Sequence, residues 1–167
     1  MQLTIELHLK TRDIYRLFEL KINGKHLFID SILRKINYSH LVTPEIHRQV
    51  EQELRELIAK FTEKTVSFEK MLDRNKSIKA KAVDIIPPFH FRVIVTNKLG
   101  LLLVEFIECY DHLIALIKLL HLSGCFDSNE AYYANIRSVK KMGNRILSDL
   151  LLLRIIKNNR IKIHTSF

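Results

Sequence analysis

The chain has 167 residues, enough for one domain with a substantial core. Apolar residues make up 47% of it, with 4 Gly and 3 Pro, and this composition excludes disordered and collagen-like chains. The formal net charge of +9 favours an anionic partner such as nucleic acid, an anionic membrane or an acidic protein.

Residues 2–10 alternate strictly between polar and apolar side chains. Leu3, Ile5, Leu7 and Leu9 fall on one face, which is the period of a half-buried β-strand. No second strand follows nearby, and a lone strand leaves both of its edges unpaired. We therefore expect it to pair with the same strand of a second copy, giving a two-stranded antiparallel ribbon about a two-fold axis.

Two short helices are predicted after this strand. Thr11 caps the first, and Asn23-Gly24 ends it, because glycine tolerates the left-handed conformation that finishes helices. The second helix turns one apolar face inward, made of Leu27, Phe28, Ile32, Leu33 and Ile36. Together these elements predict a ribbon-helix-helix-like unit over residues 1–42.

A helical body is predicted over residues 43–167. Thr43-Pro44 starts a helix that runs to about residue 74 and packs either within the chain or across a dimer. An extended hinge at 75–98 contains Pro87-Pro88, which forbids helix, and an alternating stretch at 89–95. Helices at about 99–122 and 127–158 follow, the last one starting from a capping box with Asp127 at the cap and Glu130 three residues on. The fold class is thus mainly α, of the α+β type.

We find no motif of a known catalytic or metal centre. Gly-rich phosphate loops, GxSxG, HExxH and zinc-spaced cysteines are all missing from the sequence. The run Cys109-Tyr110-Asp111-His112 brings a thiol near a base, but neighbouring residues of one helix point in different directions. Glu108 and His112 lack the Glu-x-x-His spacing of di-iron bundles. We therefore expect no enzyme activity, no cofactor and no metal site.

The expected location is the cytoplasm, without a membrane anchor. Residues 2–10 lack the apolar run of a signal peptide, and the most apolar stretch, 99–122, contains several charged side chains. The two cysteines, Cys109 and Cys125, lack metal-ligand spacing and are expected to be free thiols in a reducing compartment.

The positive charge is unevenly distributed along the chain. Residues 74–98 contain six basic side chains and one acidic one, and residues 135–167 contain eight basic and one acidic. Residues 99–134 between them are acidic. This separation favours specific basic surfaces over a uniformly charged one.

A two-stranded ribbon fits the major groove of B-DNA, so we predict binding to double-stranded DNA by a homodimer. The polar face of the strand supplies the candidate base-reading residues, Thr4, Glu6, His8 and Lys10. The candidate phosphate-binding residues are Arg12, Lys25 and His26, the last two near the amino end of the second helix. Auxiliary basic contacts are assigned to Lys81, Arg92, Lys157, Arg160 and Lys162. The alternative is a non-enzymatic helical interaction module that docks an acidic protein partner, with the acidic stretch 99–134 involved.

The sequence also resembles the AcaB-like family of regulators carried by conjugative plasmids and integrating conjugative elements. The opening run from Leu3 to Arg12, followed by Arg16-Leu17, is similar to the family's LxLxLHTRxAxRL pattern. Pro88-Phe89-His90-Phe91, Leu99-Gly100, Tyr110-Asp111 and the Leu120–Gly124 turn follow in a similar order. The chain departs from the pattern where Leu9-Lys10 separates Leu7-His8 from Thr11-Arg12. The resemblance implies a dimeric ribbon-helix-helix transcription activator of conjugative-transfer genes.

Overall fold

The computed structural model describes residues 1–22, 24–38, 43–75 and 86–152. Its elements in chain order are β1 Leu3–Leu9, α1 Arg12–Glu19, β2 Lys21–Ile22, β3 His26–Leu27, α2 Phe28–Asn37, α3 Pro44–Arg74, β4 Phe89–Val95, α4 Lys98–Leu122 and α5 Asn129–Leu152. The predicted class, a mainly helical α+β protein, is confirmed.

Strand β1 pairs antiparallel with β4 of the same chain. The register runs from Leu3 opposite Val95 to Leu9 opposite Phe89. The expectation that β1 needs the same strand of a second copy is therefore wrong, because the segment predicted as a hinge supplies its partner. The alternating stretch 89–95 is extended, as its pattern indicates.

Helix α1 is shorter than predicted. The Oγ1 atom of Thr11 accepts a hydrogen bond from the Ile14 N–H at 3.3 Å, which confirms the predicted cap. The helix ends at Glu19, because Leu20 turns into an extended conformation and its carbonyl accepts a hydrogen bond from the Phe28 N–H at 2.7 Å. Gly24 has the predicted positive φ, +70°, but in the β2–β3 hairpin and not at a helix end.

Helix α3 packs along α4 within the same chain. Of the two arrangements that the sequence left open, packing within the chain or across a dimer, the structure has the first. Thr43 caps it and Pro44 is its first residue, as predicted. The Phe61 ring is fully buried, and its centroid lies 5.7 Å from that of Phe106 and 5.6 Å from that of Tyr110. The long helix is therefore part of this chain's own core.

Helix α4 forms the centre of the molecule. Fifteen of its residues are buried, so apolar side chains surround it on most sides. Helix α5 crosses it with Gly143 against the ring of Tyr110. At the start of α5, the Ser128 hydroxyl accepts from the Ala131 N–H at 3.1 Å, so the capping side chain is Ser128 and not Asp127. The predicted end of this helix near residue 158 lies outside the described residues.

One buried carboxylate fixes the end of β1 on α4. Asp111 is 2% exposed, and its oxygens accept hydrogen bonds from the backbone N–H groups of Lys10 at 2.6 Å and Thr11 at 2.9 Å. The Thr11 hydroxyl donates a third bond at 2.7 Å. Since these bonds are local to the strand end, they set where the β1–β4 sheet sits on the helical body.

Candidate nucleic-acid interface

The β1–β4 sheet, which we call the ribbon, has one apolar and one polar face. On the apolar face Leu7 and Leu9 are fully buried, and Val93 and Val95 are nearly so. Helix α1 packs beneath this face, with the Phe18 ring centroid 4.4 Å from that of Phe91. The apolar face therefore holds the ribbon rigidly and turns the opposite face to solvent.

The outer face of the ribbon is exposed along both strands. Its side chains are Thr4, Glu6 and His8 from β1, opposite Ile94, Arg92 and His90 from β4 respectively. Three of the four predicted base-reading residues thus lie together on one solvent-facing surface. Its polar members offer a hydroxyl, a carboxylate, two imidazoles and a guanidinium, which include the donors and acceptors that recognise base edges.

Lys10, the fourth predicted base-reading residue, lies beyond the end of β1. It is half-buried, and its Nζ atom lies 2.7 Å from Nδ1 of His112 on α4. The structure therefore does not bring its ammonium group to the outer face with the other three.

Half of the outer face comes from residues that the sequence analysis did not place there. His90 and Ile94 were missed, and Arg92 was predicted only as an auxiliary basic contact. The alternation over 89–95 contained the signal, since it puts these three side chains on one face of a strand. What it lacked was the identity of the partner strand.

The remaining predicted contacts are spread over other parts of the molecule. Arg12 is exposed at the first residue of α1, and Lys25 and His26 are exposed in the β2–β3 hairpin. Four of the auxiliary basic residues lie outside the described residues, namely Lys81, Lys157, Arg160 and Lys162.

A cavity of about 390 Å³ lies between β4 and α2 and is lined by Arg34 and Arg92. Asn37 closes the neighbouring strand edge: its Nδ2 donates to the Ile94 carbonyl at 2.9 Å, and its Oδ1 accepts from the Thr96 N–H at 3.2 Å. These two bonds imitate an added strand, and satisfying an edge in this way opposes unwanted strand pairing there. Arg34, which the sequence analysis did not single out, thus places a second guanidinium beside the ribbon.

A second cavity, of about 550 Å³, lies between β1, α3 and α4 and is more acidic. Glu69, Glu105 and Glu108 line it together with His8 and Lys10. Burial, with the neighbouring Glu105 carboxylate, raises the pKa of Glu108. An acidic cavity repels phosphate, so this side of the ribbon is unfavourable for an anionic partner.

Cys109 also lines the second cavity and is a free thiol. Burial raises the pKa of this thiol, which is the opposite of the activation that a nucleophilic cysteine needs. His112 lies 2.7 Å from the Lys10 ammonium and 3.5 Å from a Glu69 carboxylate oxygen. The imidazole is thus engaged with these two groups.

Within the described ranges, no helix combines the length and the apolar character needed to cross a bilayer. This finding agrees with the charged side chains in the most apolar stretch of the sequence.

Among solved structures, the chain is similar to the crystal structure of selenomethionine-containing AcaB from uropathogenic E. coli. The two align with a TM-score of 0.50 and 21% sequence identity, over 96% of this chain and 84% of that one. The likeness shows an AcaB-like fold. No protein-family model matches the chain, and no curated protein matches it significantly.

Proposed function

We propose that this chain is a DNA-binding regulator of transcription whose ribbon enters the major groove. The observation that supports this most directly is the exposed polar face of a two-stranded antiparallel ribbon, built on a chain of net charge +9. A ribbon of this kind matches the width of the major groove, and basic charge supplies the sequence-independent part of the affinity.

Each polar side chain of the outer face has a matching base contact. Arg92 can donate two parallel hydrogen bonds to guanine O6 and N7, the commonest specific contact in the major groove. Glu6, directly opposite Arg92 in the ribbon, can accept from a cytosine amino group. Adjacent guanine and cytosine contacts would therefore come from one cross-strand pair, while Thr4 and His8 contact neighbouring bases.

Phosphate contacts come from basic groups beside the ribbon. Arg34 shares a cavity with Arg92, and Arg12 follows closely after β1 in the chain. Lys25 and His26 are exposed just before α2, whose first-turn N–H groups favour an anion. These contacts fix the register of the ribbon on DNA without reading its sequence.

The proposal extends to a non-catalytic activator of conjugative-transfer genes that acts as a homodimer in the cytoplasm. The resemblance of the opening residues to the AcaB-like family supports the assignment to conjugative-transfer genes. The AcaB-like fold supports the proposed architecture of a regulator. The raised pKa of Cys109 supports the absence of thiol catalysis. A dimer would form from copies in which each ribbon is already complete.

The test is fluorescence anisotropy with two DNA duplexes over several salt concentrations. One duplex has the sequence upstream of the gene that encodes this chain, called the native duplex, and the other is a scrambled sequence. We expect a preference for the native duplex that survives physiological salt, with a salt slope that reports the number of phosphate contacts. Equal affinity for both duplexes that collapses with salt would contradict the proposal and favour an acidic protein partner instead.

Two arginine variants sharpen this test because they remove the same charge. Arg92→Ala should cost about 1–3 kcal/mol on the native duplex and reduce the discrimination between duplexes. Arg137→Ala, on the exposed side of α5, should leave that discrimination unchanged. If both variants discriminate as the wild type does, the ribbon is not the surface that reads DNA.

A further inference from the structure

We propose that Glu6, His8 and His90 form a binding site for one divalent transition-metal ion, Zn²⁺ in the first instance, on the outer face of the ribbon. In the part of the chain that the structure describes, they are the one group of three His, Cys or carboxylate side chains close enough to share an ion. The sequence analysis predicted no metal site, and the proposed DNA contacts do not involve one.

The ribbon itself brings the three residues together. His8 and His90 stand directly opposite each other in the register, and Glu6 is two residues before His8 on the same face. Opposed residues of an antiparallel pair have Cβ atoms about 4.5–5.5 Å apart, within reach of a shared ion. The backbone therefore needs no rearrangement to present all three groups.

The ligand atoms already lie near one another. All of them are within 4.8 Å of each other, and the Glu6 Oε1 atom is 3.9 Å from His90 Nδ1. The two imidazole rings meet edge to face, with centroids 4.6 Å apart. Tetrahedral Zn²⁺ with bonds of about 2.0–2.1 Å holds its ligand atoms about 3.4 Å apart. Closing the site thus takes a contraction of at most about 1.4 Å between ligand atoms, which rotation of exposed side chains can supply.

The exposure of the group allows this contraction. The side chain of His90 is 55% exposed and that of Glu6 is 51% exposed, so packing does not lock their torsions. Water occupies the fourth position of a site with three protein ligands, and an outer face open to solvent leaves room for it.

The donor set selects the class of metal. Two imidazoles and one carboxylate form a zinc ligand set, and imidazole suits Zn²⁺, Cu²⁺ and Ni²⁺. Mg²⁺ and Ca²⁺ prefer oxygen ligands, and only one carboxylate is present in the group. We therefore expect Zn²⁺ to bind and Mg²⁺ at the same concentration not to displace it.

The test is isothermal titration of the metal-stripped full-length chain with ZnCl₂ in the absence of DNA. Wild type should bind one Zn²⁺ per chain at this site. His8→Ala and His90→Ala should each weaken binding by about tenfold or more, because even the partners of metal ligands change affinity by about 10–100-fold. Circular dichroism of each variant checks the fold, which exposed side chains should not disturb.

Two variants serve as matched controls. Ile94→Ala changes the same face without removing a ligand, and His47→Ala removes an imidazole from helix α3. Both should bind Zn²⁺ within about twofold of wild type, well below the tenfold effect of a lost ligand. Zinc affinity unchanged in His8→Ala and His90→Ala, or no zinc binding by wild type, would overturn the proposal. The result is independent of DNA binding, which Arg92 tests separately.

Discussion

At the scale of single residues, two acidic side chains join the N-terminal unit to the helical body in different ways. Asp111 is held by N–H and hydroxyl donors of Lys10 and Thr11. Asp13, on α1, is held instead by the ammonium groups of Lys118 on α4 and Lys140 on α5, the latter at 2.6 Å. The first arrangement joins a carboxyl group to the main chain at the strand end, whereas the second joins one to two lysine side chains.

Asp13→Asn should therefore lower the free energy of unfolding in a pH-dependent way. Burial opposes ionisation of Asp13, but the hydrogen bonds from Lys118 and Lys140 outweigh it and hold the pKa below its ordinary value. Such a group contributes stability above its unfolded pKa and loses it as pH falls through the folded pKa. Because both lysines are more than one-third exposed, we expect only about 1–2 kcal/mol at neutral pH.

Urea denaturation of wild type and Asp13→Asn at neutral pH and at about pH 3 measures this difference. The difference in unfolding free energy should shrink at the acidic pH, because the stability contributed by a carboxylate with a lowered pKa is lost as the pH falls below the ordinary range of that carboxyl. Asp127→Asn, an exposed substitution with the same chemistry, should show no such trend. A loss that is equal at both pH values would mean that the ion pairs contribute nothing.

At the scale of elements, local patterns predicted the helices better than the sheet. Caps and periodicity gave both ends of α3 and the inward face of α2, since these signals lie within the element itself. The alternation in β1 and in 89–95 predicted each strand's faces, but not that the two strands pair. Strand partners far apart in sequence are chosen by tertiary packing, here of both apolar faces on α1 and α4, and no local signal encodes that choice.

The crossing of α4 and α5 depends on the absence of a side chain at one position. A Cβ atom on Gly143 would lie 2.3 Å from the Tyr110 ring, which is buried. Gly143→Ala should therefore lower the free energy of unfolding by about 1–3 kcal/mol, although alanine is the better helix former by about 1 kcal/mol. Thermal and urea denaturation measure the change.

Ser138→Ala, at an exposed position of the same helix, is the control and should change stability by less than about 0.5 kcal/mol. If Gly143→Ala were as stable as wild type or more so, the close approach of α5 to Tyr110 would be wrong. The two variants together separate helix propensity from packing.

At the scale of the whole molecule, the candidate site joins two distant parts of the sequence. The alternation of residues 2–10 predicted that Thr4, Glu6 and His8 share a face, and the structure places them on the exposed one. It did not predict that His90 and Arg92 complete that face, because this follows from the strand pairing. Lys10 departs from its predicted place for a tertiary reason too, since His112 on α4 engages its ammonium group.

The same pairing makes a prediction about folding and association. Because β1 has its partner within the chain, a single copy can form the complete ribbon and its core. The thermal midpoint, followed by circular dichroism, should change by less than about 1 °C over a roughly 100-fold dilution, since only folding that is coupled to association depends on concentration. A midpoint that falls steadily on dilution would contradict this prediction, because it would show that association with a second copy stabilises the folded state. With a constant midpoint, the proposed dimer assembles from folded copies, and sedimentation of the DNA complex would count them.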